Sequence, residues 1–237
     1  MNHATENKLL RLVKHNYASI ADDFHQTRQK GLWPEIVKLT SEVPNNSRLL
    51  DVGCGNGRLL EALADKNIHY TGLDNCPELL ALAAKNFPHQ ANNFHEAELL
   101  NLNKYPGLNY DYIFSIGVLH HIPGQRLRLD AMKQLKNKLA PQGQLIISVW
   151  NLWQSTNNKG VKFYRHLIWK FWFLKILGKH HMDFGDIIFN WKHDTNISQR
   201  YYHAFTMREL KRLAKLSGFK IKDLYKDTYN YYLLLSK

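Results

Sequence analysis

The segment LLDVGCGNGRLL sets Gly53, Gly55 and Gly57 between a run that reads as a strand and one that reads as a helix, with Asp51 just ahead of them. In that context small residues let the backbone pass close to a ligand lying over the carboxyl edge of a sheet, and the helix start offers free amide groups there. Two chemistries use such a loop. Dinucleotides call for G-x-G-x-x-G, so that pyrophosphate can approach the helix; here the spacing is G-x-G-x-G. Asp51 separates the two. A carboxylate at the tip of the first strand repels pyrophosphate at close range, but it can hold the ammonium of an aminoacyl ligand directly or through water. Asp74, seventeen residues past Gly57, can accept hydrogen bonds from both hydroxyls of a ribose. The ligand that fits an acid for an ammonium and an acid for a ribose is S-adenosylmethionine, whose spent form is S-adenosylhomocysteine.

The next question is what accepts a methyl group. Enzymes that methylate exocyclic amines carry Asn/Asp-Pro-Pro-Tyr after the fourth strand, whereas this chain has SIGVLHHI. Methylation at a pyrimidine ring carbon needs a cysteine nucleophile. Cys54 lies in the glycine loop and Cys76 beside Asp74, neither in place for that role. Oxygen, as hydroxyl or carboxylate, remains, together with small-molecule nitrogen or carbon. A carboxylate is already ionised at neutral pH and needs no base, so catalysis reduces to alignment and desolvation.

The elements that must hold these residues follow from periodicity. Leu9, Leu10, Val13, Tyr17, Ile20, Ala21 and Phe24 recur at helical spacing before Trp33-Pro34, which predicts two helices. From Leu49 to Trp150, runs such as LLDV, HYTGLD, FHEAELL, YDYIFSIGV and QLIISVW alternate with RLLEALADK, PELLALAAKNF and LRLDAMKQLKNKL. That alternation implies parallel strands joined by crossover helices, a doubly wound α/β sheet. It stops for about fifty residues after Trp150. A helix from RELKRLAKLSGF and a final pair of strands then complete the chain. The expected organisation is one domain: N-terminal helices over 1–46, a ligand-binding core over 47–150, a helical lid over 151–205 and a closing helix and strands over 206–237.

Composition narrows the partners. The 237 residues carry 32 Lys and Arg against 20 Asp and Glu. The excess is uneven: 16 against 14 in residues 1–150, and 16 against 6 in residues 151–237. A basic surface attracts polyanions, nucleic acid first and anionic lipid next. Two isolated cysteines supply neither a disulfide framework nor a metal knuckle, and a reducing compartment, the cytoplasm, is the simplest reading. No signal-like or spanning stretch is expected, because Arg165, Lys170 and Lys175 interrupt the most apolar segment.

The run LLDVGCGNG, Asp74, Glu98, YDYIFSIGVLHHI and LAPQGQLIISVW resembles the successive motifs of the class I methyltransferase fold, a Rossmann-like doubly wound sheet. By that resemblance Glu98 stands against the adenine amine, and Tyr17, Arg28, Cys54, Asn75, Leu99 and Ser115 join Asp51, Gly53, Gly55, Gly57 and Asp74 around the cofactor. The flanks are more specific. YASIADDFHQTRQKGLWP matches at Tyr17, Ile20, Ala21, Phe24, Thr27, Arg28, Trp33 and Pro34, and with GDIIFNW, RYYHAF and VLHH it resembles the tRNA wobble-uridine carboxyl methyltransferases, which esterify 5-carboxymethyluridine. The resemblance implies that Arg200 pairs with the carboxymethyl group and that Tyr201, Tyr202 and His203 shape the uridine pocket. It also implies that His120 or His121 meets the acceptor, without choosing between them. The guanidinium agrees with the chemistry, since it grips one carboxylate oxygen and never deprotonates.

The chain departs from the family at Phe189-Asn190-Trp191 and Asn230-Tyr231-Tyr232, where Val-Pro-Trp and Asn-Trp-Tyr are usual. The implied partner is the anticodon stem-loop of tRNA, and eukaryotic members work with a small zinc-binding activator subunit. A carboxyl- or hydroxyl-directed enzyme for a small or lipid-linked metabolite is the alternative. The aromatic, basic helix over 161–177 could clamp an anticodon stem, rest on an anionic membrane through 159–180, or pack on its own lid.

Overall fold

The computed structural model describes residues 1–27, 31–154, 159–193 and 196–237. Arg28 therefore lies outside the described residues. Three N-terminal helices come first: α1 (His3–Ser19), α2 (Ala21–Thr27) and α3 (Pro34–Ser41). Asn2 caps α1 by accepting from the Thr5 amide at 2.9 Å, and Pro34 opens α3, where a missing N–H costs nothing. The run LLDV then forms β1 (Arg48–Val52), buried from Leu49 onward because helices cover both faces of the sheet.

The chain continues through β2 (His69–Asp74), α4 (Pro77–Asn86), β3 (Phe94–Glu96), β4 (Tyr110–Ile116), α5 (Gln125–Lys138) and β5 (Leu139–Trp150). After the insertion come α7 (Met207–Leu216), β8 (Lys220–Lys226) and β9 (Asn230–Ser236). Among the described residues one sheet has the strand order β3-β2-β1-β4-β5-β9-β8. β1 to β5 are parallel, and β9 returns antiparallel between β5 and β8. The order reverses between β1 and β4, which opens a crevice at the carboxyl ends of these two strands. Leu50, Val52, Ile113, Leu145 and Ile147 pack on one side, and Leu49, Phe114 and Ile146 on the other. The core thus fixes the positions of Asp51 and Gly117 on either side of the crevice.

Four elements differ from the sequence expectation. Three N-terminal helices form instead of two, because the chain leaves helical geometry at Ile20 between α1 and α2. Residues Arg58–Leu63 wind as a 3-10 helix rather than an α-helix; three residues per turn bring Leu60 and Leu63 into line over the sheet. Strand β3 stops at Glu96, so Glu98 sits beyond it, in extended backbone at the start of a 3-10 turn.

The insertion is not helical throughout. Besides α6 (Lys159–Ile176) it holds a hairpin of β6 (Asp186–His193) and β7 (Asn196–His203), paired from Asp186↔His203 to His193↔Asn196. Alternation hides there because both hairpin faces are covered. Ile187, Phe189 and Tyr202 meet Leu167 and Ile168 of α6, while Ile188 and Tyr201 meet Leu9 of α1.

Candidate active site

The glycine loop is a built turn rather than a row of free amides. Gly53 and Cys54 donate their N–H groups to the Leu73 carbonyl at 2.7 and 3.0 Å, and Gly55 donates to Asp74 Oδ2 at 2.8 Å. Gly53 and Gly57 hold φ of +77° and +79°. A Cβ on Gly53 would run into Val118, and one on Gly57 would stand 3.0 Å from Phe87 and Phe94. Gly53→Ala should therefore cost about 1–3 kcal/mol in backbone strain before the clash is counted. It should also abolish the rise in Tm that the cofactor gives the wild type, which a thermal melt with and without ligand checks.

Two carboxylates face the turn. Asp51, 3% exposed, accepts from the Tyr70 hydroxyl at 2.9 Å. Burial pushes its pKa up to about 7, with the Tyr70 hydrogen bond opposing and the Asp74 charge adding to the rise. Asp74 accepts amides through both oxygens, Gly55 on Oδ2 and Cys76 on Oδ1 at 3.0 Å, and burial raises its pKa as well. The Asn75 backbone N–H also stabilises the carboxylate, so only part of its roughly four lone-pair positions stays open. Among the described residues neither carboxylate has an ion-pair partner. Cys54 is no nucleophile, since burial and then these two charges lift its thiol well above the usual range.

A cavity of about 450 Å³ opens over the crevice. Of the residues expected at the cofactor, Tyr17, Asp51, Gly53, Cys54, Gly55, Asp74, Asn75, Glu98 and Leu99 line it, and His121 lines it as well. Gly57 does not, because it turns the chain into the 3-10 helix against Phe87 and Phe94. Asn75 Nδ2 donates to Glu98 Oε2 at 3.1 Å, and Lys14 stands 3.5 Å from Glu98 Oε1. Ser115 is placed elsewhere, fully buried inside β4, while Ile116 and Gly117 reach the cavity instead.

Sequence reasoning missed the roof. Leu10, Val13 and Lys14 of α1, with Trp33 and Ile36 at the start of α3, line the cavity beside Trp150. The Leu10, Val13, Tyr17 stripe was legible as helical spacing, but such a stripe looks the same whether it covers a core or a ligand.

The residues expected to meet the acceptor lie across Gly117. His121 bonds the Tyr17 hydroxyl through Nε2 at 2.8 Å. Burial, with the Arg200 charge adding, drives its pKa down to about 3 against a backbone hydrogen bond at Tyr201. The imidazole is therefore neutral. His120 sits behind it, fully buried, its ring against Trp150 and Tyr202, each at 5.3 Å.

The Arg-Tyr-Tyr-His block divides, because side chains alternate along a strand. Arg200 and Tyr202 share the face of β7 that looks toward His121: Arg200 Nη1 donates to the Tyr202 hydroxyl at 3.3 Å, and the Tyr202 ring lies 5.0 Å from His121 and 4.9 Å from Trp150. Tyr201 and His203 point the other way. Tyr201 donates to Asp186 Oδ1 at 2.8 Å, and His203 bridges Asp186 at 2.6 Å and Glu209 at 2.8 Å. Burial and the Arg128 charge oppose protonation of His203, yet these two acids leave its pKa above the ordinary value. This pair fastens the hairpin to α5 and α7; none of the four residues lines the cavity itself, and Arg200 and Tyr202 stand behind His121 and Trp150, which do.

The residues fit S-adenosylmethionine. A buried carboxylate with a raised pKa and no counter-cation is completed by an ammonium, open lone pairs on Asp74 suit a ribose diol, and apolar Leu99 and Ile36 suit an adenine face. Comparison with known proteins agrees. The profile of the family described as "Methyltransferase domain" matches residues 24–224. The tRNA (carboxymethyluridine(34)-5-O)-methyltransferase of Schizosaccharomyces pombe is 27% identical over 223 residues, 93% of this chain and 94% of its own length. The protein of that name in Saccharomyces cerevisiae is 33% identical over 160 residues, 68% of this chain and 55% of its own, so the chain spans about half of that relative. A solved methyltransferase from Methanosarcina mazei superposes with a TM-score of 0.66 at 19% identity, over 87% of this chain and 98% of that one. The chain belongs to the methyltransferase domain family and is an S-adenosylmethionine-dependent methyltransferase.

Proposed function

We propose that this methyltransferase esterifies the carboxylate of a carboxymethyl-type uridine at the wobble position of tRNA. The observation that carries the reading is Arg200, a permanent cation on the acceptor side, held by Tyr202 and close enough to His121 for its charge to act there. The kinship over nearly the full length of the fission yeast enzyme supports it. A guanidinium on that face takes one oxygen of the substrate carboxylate and leaves the other to attack. S-adenosylmethionine supplies an electrophilic methyl on its sulfonium.

The chain's own residues bind, orient and exclude water. Asp51 holds the ammonium and Asp74 the ribose, with Asn75 and Glu98 at the adenine end. His121, neutral and tied to Tyr17, serves as wall rather than as acid or base, and a carboxylate acceptor requires neither. His120, Trp150 and Tyr202 close the wall behind it and keep water from the transfer. Tyr201 and His203 position the strand that carries Arg200.

The basic surface suits a polyanion. Arg208, Lys211, Lys215 and Lys220 rim a groove between α7 and β8, and among the described residues none of them pairs with an acid. Buried free Cys54 and Cys76 accord with the cytoplasm, where tRNA is modified. Among the described residues no helix is long and apolar enough to cross a membrane.

The test is transfer of labelled methyl to tRNA from a strain lacking the gene, in extract of that strain so that any activator subunit is present. Label should enter tRNA and leave on mild alkaline treatment, as an ester does. Label stable to alkali would exclude a carboxyl acceptor.

A further inference from the structure

Helix α6 shows a surface that the transfer chemistry does not use. One side, with Leu167 and Ile168, is buried on the hairpin. The other exposes Trp169 at 55%, Trp172 at 40% and Phe173 at 60%. The rings form a track: Trp153 to Trp169 at 6.2 Å, Trp169 to Trp172 at 6.0 Å, and Trp172 to Phe184 at 5.3 Å. Trp153 shares its apolar cluster with Trp150, which lines the cavity, and with Tyr202. The track therefore runs outward from the acceptor side of the site.

Cations are interleaved with these rings. Arg165 stands one turn before Trp169, Lys170 is its neighbour, and Lys175 lies 5.2 Å over the Phe184 ring. Residues 159–182 contain no Asp or Glu. A helix that lies in a membrane surface separates a charged face from an apolar one. Here the side with Leu167 and Ile168 is already buried on the hairpin, and the exposed side mixes planar rings with positive charge, with Ile176 and Leu177 exposed at its C-terminal end. That mixture is how single-stranded nucleic acid is held, bases stacking on aromatic faces while cations meet phosphates.

We infer that Trp169, Trp172 and Phe173, with Arg165 and Lys170, form the platform on which the anticodon-loop nucleotides flanking the target uridine stack. The inference rests on the proposed tRNA substrate and names the surface that recognises it. It makes the helix a specificity element outside the chemistry. Each stacked base contributes about 1–3 kcal/mol, so losing two rings should weaken RNA binding on the order of 30-fold or more.

The experiment uses the full chain and an anticodon stem-loop RNA. Tryptophan fluorescence should be quenched on titration with the RNA, and most of that quenching should vanish in Trp169→Phe/Trp172→Phe. With whole tRNA, Trp169→Ala/Trp172→Ala should raise KM on the order of 30-fold while kcat at saturation and cofactor affinity stay within about twofold. Arg165→Glu/Lys170→Glu should raise KM and flatten its salt dependence. If the wild type forms ester in tRNA and both variants keep its KM, the platform is wrong and the substrate reading survives. If the wild type neither binds nor methylates tRNA, both fall. Flotation of the wild type with phosphatidylserine vesicles, lost in the tryptophan variant while tRNA kinetics stay normal, would also overturn the inference and assign the face to a lipid surface.

Discussion

Arg200→Ala should lose about two to three orders of magnitude in kcat/KM for tRNA, with cofactor affinity within about twofold of wild type, because truncating one side of a desolvated, hydrogen-bonded charge pair costs on the order of 2–5 kcal/mol. Arg200 lies across β7 from the Asp186 network, so its removal should leave the fold intact: the fastening residues His203, Asp186 and Glu209 are on the opposite face. Arg200→Lys should recover only part of the loss, since a point charge cannot reproduce a planar fork. Steady-state kinetics with tRNA as the varied substrate, beside calorimetric titration of the cofactor, separates the two effects. An equal fall in cofactor affinity would place Arg200 on the wrong side of the site.

Asp51→Asn should weaken S-adenosylmethionine binding about 30- to 1000-fold, as a desolvated ammonium loses its carboxylate. The same change should stabilise the ligand-free protein. An acid whose pKa rises on folding, here from 3.8 to about 7, destabilises the fold above its unfolded pKa. The penalty is absent below about pH 4, grows between about pH 4 and pH 7, and levels off above. At about pH 8 the variant should therefore be more stable by an amount on the order of a few kcal/mol, and near pH 4 the difference should vanish.

The cofactor gives the complementary sign. Its ammonium favours the ionised carboxylate, so wild-type affinity should rise as pH climbs toward about 7, with proton release on binding below that point, and fall again as the ligand's own α-ammonium deprotonates. Calorimetry in buffers of different ionisation enthalpy detects that proton. A variant that binds as tightly as wild type would remove Asp51 from the ammonium site.

What the sequence made legible was the part of the site that one local pattern determines. Asp51, the glycines and Asp74 occupy strand ends whose spacing follows from a strand, a turn and a crossover, so their convergence could be read before any coordinates. The run FHEAELL reads as a strand through Glu98, whereas β3 ends at Glu96, yet Glu98 still reaches the cavity.

The acceptor side was legible only in outline. Four consecutive residues, Arg200 to His203, cannot all face one pocket from a strand. Period two sends Tyr201 and His203 into the Asp186 network and leaves Arg200 with Tyr202. The hairpin itself escaped notice because α6 covers one face and α1 the other, which erases the polar alternation that marks a half-exposed strand. The roof escaped for a related reason: apolar residues of α1 bury against a cavity as they would against a core.

The most direct test of the central claim is mass spectrometry of the nucleosides from tRNA of a strain lacking the gene, before and after incubation with the purified protein, strain extract and S-adenosylmethionine. The account predicts that a carboxymethyl-type uridine disappears as its methyl ester appears, and that Arg200→Ala leaves the acid in place. Recovery of the acid unchanged, with the wild-type protein shown to bind the cofactor, would contradict a tRNA carboxylate as the acceptor and return the chain to a small-molecule substrate.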